Sequence, residues 1–431
     1  MTFEFFLCIA TLFLIAGMGA PIAYAIIVSA FVYLIAAGQS IGVAGKVLMD
    51  GLYQSFILLA VPLFIVAANI MNAGTVSDRL LRFCVALVGR FKGGLGHVNV
   101  VASLVFSGMS GSAVADAAGV GKIVIDMMIK SGHYTRGYAA AITAASATIG
   151  PIIPPSIPMV LYALVSNTSI GYLFLGGILP GLLMGVVLMA MNFWLSHRRG
   201  FGTEEPIPLS EIPQVTIRAF PALMMPAILL YGIYGGVTTP TEAAAVAAFY
   251  ALVLAAVFYR SLSLRGFYEI LVSSARSSAS IGLVIGGALI LNYIVASENI
   301  PGRVAEALVG LDISPLVFLL GVNLLILVLG CILDASTIIL VIIPLFLPSC
   351  RDLGIDLVHF GVVATVNCMI GLITPPYGIL LFVINAVTRI PLSEIIREIW
   401  LFLAVLIFAL MLLILFPGIT LWLPRTMGYA G

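Results

Sequence analysis

An all-α, polytopic membrane protein built from two repeated halves is the fold class this sequence predicts, and three observations predict it. Of the 431 residues 62% are apolar and only 9% are charged, against about 25% charged in an ordinary soluble domain, so the chain needs a bilayer as solvent. Apolar runs recur near 3–16, 20–37, 55–73, 95–108, 137–166, 170–195, 219–234, 242–259, 278–296, 314–331, 336–348, 358–388 and 399–423. At about 20 apolar residues per crossing these supply roughly a dozen membrane-embedded elements, several too short to cross alone. Finally, similar landmarks recur in one register. Gly150-Pro151-Ile152-Ile153-Pro154-Pro155 returns 221 residues later as Gly371-Leu372-Ile373-Thr374-Pro375-Pro376, Pro21 returns 219 later as Pro240, and Arg79 returns 224 later as Arg303. Ser112 lies 42 residues before Pro154, as Asp334 lies 41 before Pro375.

Taken in order, the first stretch, Phe3 to Ala37, is interrupted only at Gly17-Met18-Gly19-Ala20-Pro21 and lacks a basic start or a small-residue cleavage site, so it is expected to be retained. Arg79, Arg82, Arg90 and Lys92 form an amphipathic stretch suited to lie at the membrane interface. Asp116, Lys122, Asp126 and Lys130 carry opposite charges at helical spacings and read as an ion-paired helix face. The first repeat is expected over 1–196, with a hairpin near 104–130 and a broken helix near 137–166. Residues 197–218, HRRGFGTEEPIPLSEIPQVTIR, are the one long polar stretch and read as the linker; its basic start favours the cytoplasmic side. The second repeat follows over 219–431, opening with a capping box between Thr239 and Glu242. It has a hairpin near 314–350 and a broken helix near 358–388.

Composition also removes whole classes of function. With 19 Lys+Arg against 18 Asp+Glu, and no basic run interleaved with aromatics, nucleic acid is not an expected partner. Cys8, Cys84, Cys331, Cys350 and Cys368 stand singly and read as packing residues. The four histidines have no metal-site spacing, so no transition metal is expected, and no nucleophile elbow, Walker loop or dinucleotide fingerprint is present, so no catalytic residue is expected.

Chemistry is expected at four helix breaks, because an interruption at membrane depth survives only where it lines a cavity or binds something. Ser107–Ser112 is rich in Gly and Ser; Thr148–Ser156 holds three prolines that withhold amide donors; Gly330–Thr337 and Gly371–Gly378 are their counterparts. Half-helix N-termini suit an anion, and carbonyl-rich ends suit a small hard cation such as Na+. Asp334 lies between apolar runs, which favours a role near a cation, although it also suits a helix cap. The residues at the tips and breaks, Ser107, Gly111, Pro154 and Pro155 in the first half and Ser336, Pro375 and Pro376 in the second, are expected to meet the substrate. Two halves meeting at such breaks are a recurrent plan of secondary transporters.

The runs SGMSGSAVADAAGVGKIVIDMM, GHYTRGYAAAITAASATIGPIIPPSIPMVLYA, YGGVTTPTEAAAVAAFYALVLAAVFYR, GCILDASTIILVIIPLFLP and IGLITPPYGILLFV resemble, in this order and over essentially the whole chain, the large membrane subunit of TRAP (tripartite ATP-independent periplasmic) transporters. These are the DctM-like permeases of the ion transporter superfamily. The resemblance implies a multi-pass permease of the bacterial inner membrane, with inverted repeats, a scaffold, and a transport domain that moves as an elevator on a Na+ gradient. It implies a small four-helix, DctQ-like membrane subunit on a separate polypeptide and a DctP-like periplasmic protein that delivers an organic anion, commonly a carboxylate. Carried over by motif, the Na+ sites would draw on Ser110, Ser112, Ser146, Thr148 and Gly150, and on Gly330, Asp334, Thr337, Gly371 and Thr374. Lys122 and Asp126 depart from the more neutral residues expected there. A single-component dicarboxylate or oxyanion carrier of the same superfamily is the alternative, and a membrane-embedded enzyme a more distant one.

Overall fold

The computed structural model describes residues 2–54, 56–72, 75–203, 207–208, 210–310 and 313–431, and among these there is no β-strand. The first half runs through α1 (Phe3–Gly17), α2 (Ile22–Ala36), α3 (Gly42–Gln54), α4 (Ala60–Asn72), α5 (Thr75–Val88) and α6 (Gly94–Ser110). Then come α7 (Ala113–Asp116), a π-helical turn (Ala117–Gly121), α8 (Lys122–Ser131), α9 (Arg136–Ala147), α10 (Ile157–Ser166) and α11 (Ile170–Arg199). The second half has α12 (Ile212–Tyr234), α13 (Pro240–Val253) with a π turn (Leu254–Phe258), α14 (Leu264–Ser297), α15 (Ile300–Gly310) and α16 (Pro315–Gly330). It continues with α17 (Ala335–Thr337), a π turn (Ile338–Ile342), α18 (Leu347–Asp352), α19 (Leu357–Gly371), α20 (Ile379–Thr388), α21 (Leu392–Leu415) and α22 (Gly418–Thr426).

Among the described residues five helical stretches are long and apolar enough to cross a bilayer: α11, α12, Pro240–Phe258, α14 and α21. Their outward faces carry large apolar side chains such as Phe249, Trp400 and Phe408, while Asn99, Thr143, Ser146 and Asn367 are buried. Lipid can solvate the former, and only protein can satisfy the latter. By contrast α6 and α16, of 17 and 16 residues, reach only about 25 Å at 1.5 Å per residue, short of a core about 30 Å thick. Each is followed by a second limb that packs against it, 113–131 after α6 and 335–352 after α16.

The elements pack as an outer frame and an inner body, joined where α6 lies against α4 and α5. In the frame, α2 lies against α1 and α14, and α4 lies against α13 and α14. In the inner body, α9 lies against α6 and α21, and α19 against α16 and α11. Polar bonds fix the limbs inside the second body. Asn99 donates through Nδ2 to Thr143 Oγ1 (2.5 Å) and accepts through Oδ1 from Ser146 Oγ (2.9 Å), joining α6 to α9. Asn367 Nδ2 donates to Asn323 Oδ1 (2.9 Å), joining α19 to α16 at the corresponding place. The halves also interleave, since α10 packs on the Ile338–Ile342 turn and α20 on the Ala117–Gly121 turn.

The polar linker is shorter than its composition suggests. α11 stays helical through Arg199, whose guanidinium pairs with Glu398 at 2.8 Å, and ends at Gly200 with φ 71°. Basic residues in a last helical turn complement the carbonyl end of the helix dipole, so His197, Arg198 and Arg199 extend the helix rather than leave it. α12 then begins at Ile212 with Pro213 in its first turn, where a missing N–H costs nothing. Residues 204–206 and 209 of the linker lie outside the described residues. Thr239 and Glu242 do form the capping box that opens α13. All five cysteines are buried.

At the far end of α14, Glu298 ties the frame together. It accepts from Thr2 Oγ1 (2.5 Å), Tyr33 Oη (2.8 Å) and the Thr2 backbone N–H (3.3 Å). The Thr2 hydroxyl is the main cause that holds the Glu298 carboxyl below its ordinary value. A lowered carboxyl pKa stabilises the fold at pH above the ordinary glutamate value, and the stabilisation is lost as pH falls through the lowered one. Melting of the purified protein in detergent should therefore show an acid-side drop that is smaller in Glu298→Gln. An identical pH profile in the two proteins would remove this clasp from the account.

Candidate cation and anion site

In the first half, α6 ends at Ser110, Gly111 reverses the chain at φ 58°, and Ser112 caps α7 by accepting from the Ala115 N–H at 3.4 Å. Only glycine takes that backbone region without cost, and space demands it too: a Cβ on Gly111 would lie 2.5 Å from the Pro155 carbonyl oxygen. The tip of the first hairpin therefore rests directly on the first break. There Thr148 Oγ1 donates to Ala145 O (2.6 Å), Ser156 donates to Pro151 O and caps α10 through Met159 N–H (3.2 Å), and the Pro154–Pro155 peptide is cis. Ser110, Ser146, Thr148, Gly150, Pro154 and Pro155 are all buried. Ser107 is buried as well, its hydroxyl turned back to Leu104 O at 2.6 Å.

The second half repeats this plan with different side chains. α16 ends at Gly330, which packs against Gly371; a Cβ on Gly371 would meet Gly330 Cα at 2.7 Å. Asp334, extended at φ −73° and ψ 158°, caps the next limb by accepting from Thr337 N–H (3.2 Å) and Thr337 Oγ1 (2.5 Å). The tip is fastened to the break by Gly378 N–H, which donates to Cys331 O at 3.2 Å, and Pro375–Pro376 is again cis. Thr374 Oγ1 donates to Ile370 O (2.8 Å). Thr337 is buried, whereas Asp334, Ser336, Thr374 and Pro375 are half-buried and Pro376 is exposed.

The two halves thus differ in access. Gly108 of α6 packs on Pro226 of α12, which lies against α13, so the first hairpin is closed against the frame. The second tip opens on a cavity of about 840 Å³, lined by Gly17, Gly19 and Pro21 of the α1–α2 connection and by Leu333, Asp334, Tyr377 and Phe382. Asp334 is the one ionisable carboxylate on that wall. The candidate residues accordingly fall into two clusters, one per half. Contacts of α7 with α20 and of α17 with α10 hold these clusters side by side.

Asp116 is a correction to the sequence reading. Lys122, Asp126 and Lys130 are exposed on one face of the second limb, but Asp116 is buried at 4% exposure on the other. The ion pairs among the described residues are Arg82–Glu211, Arg199–Glu398 and Arg265–Glu269, so the expected charged ladder does not form. Asp116 Oδ1 accepts instead from Ser110 Oγ. Its Oδ2 has no hydrogen-bond partner and lies against Gly150, where a Cβ would come within 2.4 Å of it. Beside it, Asn99, Ser103 and Gly121 enclose a void of about 10 Å³, the room of about one water-sized particle. The available signal was spacing, since positions 112, 113, 119 and 120 offer Asp116 no basic partner.

Hairpins and broken helices paired in one inner body, carried by a lipid-facing frame, define the class as a multi-pass membrane transporter. The family model of the tripartite ATP-independent periplasmic transporter, DctM component, matches residues 9–419, and the chain belongs to that family. It is 42% identical over 96% of its length to the sialic acid TRAP transporter large permease protein SiaM of Vibrio cholerae, covering 97% of that protein. It is 38% identical over 87% of its length to the C4-dicarboxylate TRAP transporter large permease protein DctM of Pseudomonas aeruginosa, covering 88% of it. The crystal structure of the Alcanivorax borkumensis YdaH transporter shares the fold at a TM-score of 0.60, with 15% identity and coverage of 84% of this chain and 85% of that one. The protein is thus a large permease of a tripartite system, resident in the inner membrane, and not an enzyme.

Proposed function

We propose that this permease carries a small organic anion, a carboxylate, into the cell together with Na+. The observation that carries the reading is the pair of matched tips in unlike states, one closed on the frame and one open through Asp334 to the 840 Å³ cavity. A carrier needs its site to reach one side of the membrane at a time, and a moving inner body on a fixed frame supplies this. The two halves are inverted repeats, and the inner body travels as an elevator. Relatives named for sialic acid and for C4-dicarboxylates both handle carboxylates, which supports the substrate class.

Na+ is a hard cation that takes oxygen ligands, and the donor sets fit that preference. In the first half Ser110, Ser112, Ser146, Thr148 and Gly150 would supply hydroxyl and carbonyl oxygens, and the unpartnered Asp116 Oδ2 adds a carboxyl oxygen behind them. In the second half Gly330, Asp334, Thr337, Gly371 and Thr374 would do so. Between them the half-helix N-termini behind Ser112 and Asp334, with Gly111, Pro154, Pro155, Ser336, Pro375 and Pro376 around them, face the anion. Joint binding cancels charge, which lowers the cost of moving the loaded body through hydrocarbon. A DctQ-like four-helix subunit would complete the frame, and a DctP-like periplasmic protein would deliver the substrate.

The test is uptake into proteoliposomes holding this chain with its cognate small subunit and binding protein. Carboxylates should accumulate only with an inward Na+ gradient. Equal uptake from a K+ medium would overturn the coupling, and equal uptake without the binding protein would favour a single-component carrier.

A further inference from the structure

We propose that a groove between α5 and α12 binds the phosphate headgroup of an anionic phospholipid. The groove has a volume of about 250 Å³ and is lined by Asp78, Arg79, Arg82, Glu211, Gln214 and Arg218, with Val215 at its floor. Tyr259, at the end of the Pro240–Phe258 span, organises it. Its ring lies under the Arg79 guanidinium at 4.0 Å, and its hydroxyl donates to the Arg218 carbonyl oxygen at 2.8 Å. Arg82 pairs with Glu211 at 3.0 Å on an exposed edge, while Arg79 and Arg218 make no ion pair among the described residues.

Three arginines against Asp78 and Glu211 leave one positive charge in excess, the complement of one phosphodiester. Stacking on the ring holds the Arg79 guanidinium at the groove, and guanidinium forks match phosphate oxygens. A lipid rather than free phosphate is indicated by the exposed apolar side chains next in sequence to the groove residues. Ile217 (71% exposed) and Phe220 (53%) flank Arg218, and Phe258 (69%) precedes Tyr259. These side chains belong to spans whose outer faces need acyl chains, so headgroup and tail find complementary surfaces together. Such basic pockets at helix ends, next to an interfacial tyrosine, are where anionic headgroups gain most. Bound there, the lipid would pin α5, which leads into the first hairpin, to α12 of the frame.

Native mass spectrometry of the full-length protein, exchanged into mixed micelles, reads lipid retention directly. Wild type should retain phosphatidylglycerol over phosphatidylcholine, and the selectivity should fall roughly fivefold for each of Arg79→Gln and Arg218→Gln, the weight of one basic residue near a headgroup. Arg265→Gln, which removes a charge outside the groove, should leave it unchanged. Should either glutamine variant not fold, Arg79→Lys with Arg218→Lys keeps the charge but loses the fork, and should show intermediate selectivity. Equal retention of the two lipids by wild type would overturn the proposal. So would an equal loss in Arg265→Gln, or full displacement of phosphatidylglycerol by millimolar inorganic phosphate.

Discussion

Asp334→Asn is expected to raise the Na+ concentration for half-maximal uptake by about ten- to a hundredfold, the span of a charge-assisted contact worth about 1.5–3 kcal/mol. The choice of asparagine separates the cap that Asp334 forms from the cation role proposed for it. As an N-cap, Asp334 accepts from the backbone and hydroxyl of Thr337, and asparagine caps a helix about as well as aspartate. As the proposed cation ligand, on the wall of the 840 Å³ cavity, it would contribute a negative charge that asparagine lacks. Thermal stability should therefore change little in Asp334→Asn, while Asp334→Ala loses about 1 kcal/mol of cap as well. Uptake by Asp334→Asn with unchanged Na+ dependence would reduce this residue to a cap and leave the second half without an anionic ligand.

The unequal legibility of the two carboxylates has a physical origin. Asp334 stands alone between apolar runs, and a lone charge in hydrocarbon announces itself in one dimension. Asp116 lies in a stretch that continues into Lys122, Asp126 and Lys130, and the eye groups all four. What separates them is burial, which depends on Gly150 coming to rest beside the limb from 34 residues further along the chain (116 to 150). The helix interruptions fall on Gly, Pro and Ser because their cause is local: a missing N–H at Pro154 or a positive φ at Gly111 acts on the chain that carries it. The Asn99 and Asn323 ties were not legible, since a neutral amide becomes informative only when its partner is known. Least legible of all was the difference between a closed first tip and an open second one. It rests on how α6 meets α12 and how the Asp334 tip meets the α1–α2 connection, contacts between segments far apart in the chain that no local pattern encodes.

Gly371→Ala is expected to abolish uptake and to lower the yield of folded protein. The added Cβ would lie 2.7 Å from Gly330 Cα, 2.8 Å from its carbonyl carbon and 3.0 Å from its oxygen. These are backbone atoms that no rotamer change removes, so α16 and α19 must separate at the point where tip meets break. Overpacking of this kind costs about 1–3 kcal/mol and sometimes more, and here the displacement falls on Asp334 and Thr374 as well as on stability. Gly111→Ala should fail for a related reason in the other half, with the strain of φ 58° added to a 2.5 Å approach to Pro155 O. Gly321, on the same helix as Gly330 but with nothing within 4 Å of its added Cβ, is the control. Alanine there should be neutral or slightly stabilising, because it restricts the unfolded chain without meeting a neighbour. If Gly371→Ala eluted as a folded protein with the melting temperature and uptake of Gly321→Ala, close contact between hairpin and broken helix would not be what holds the site together.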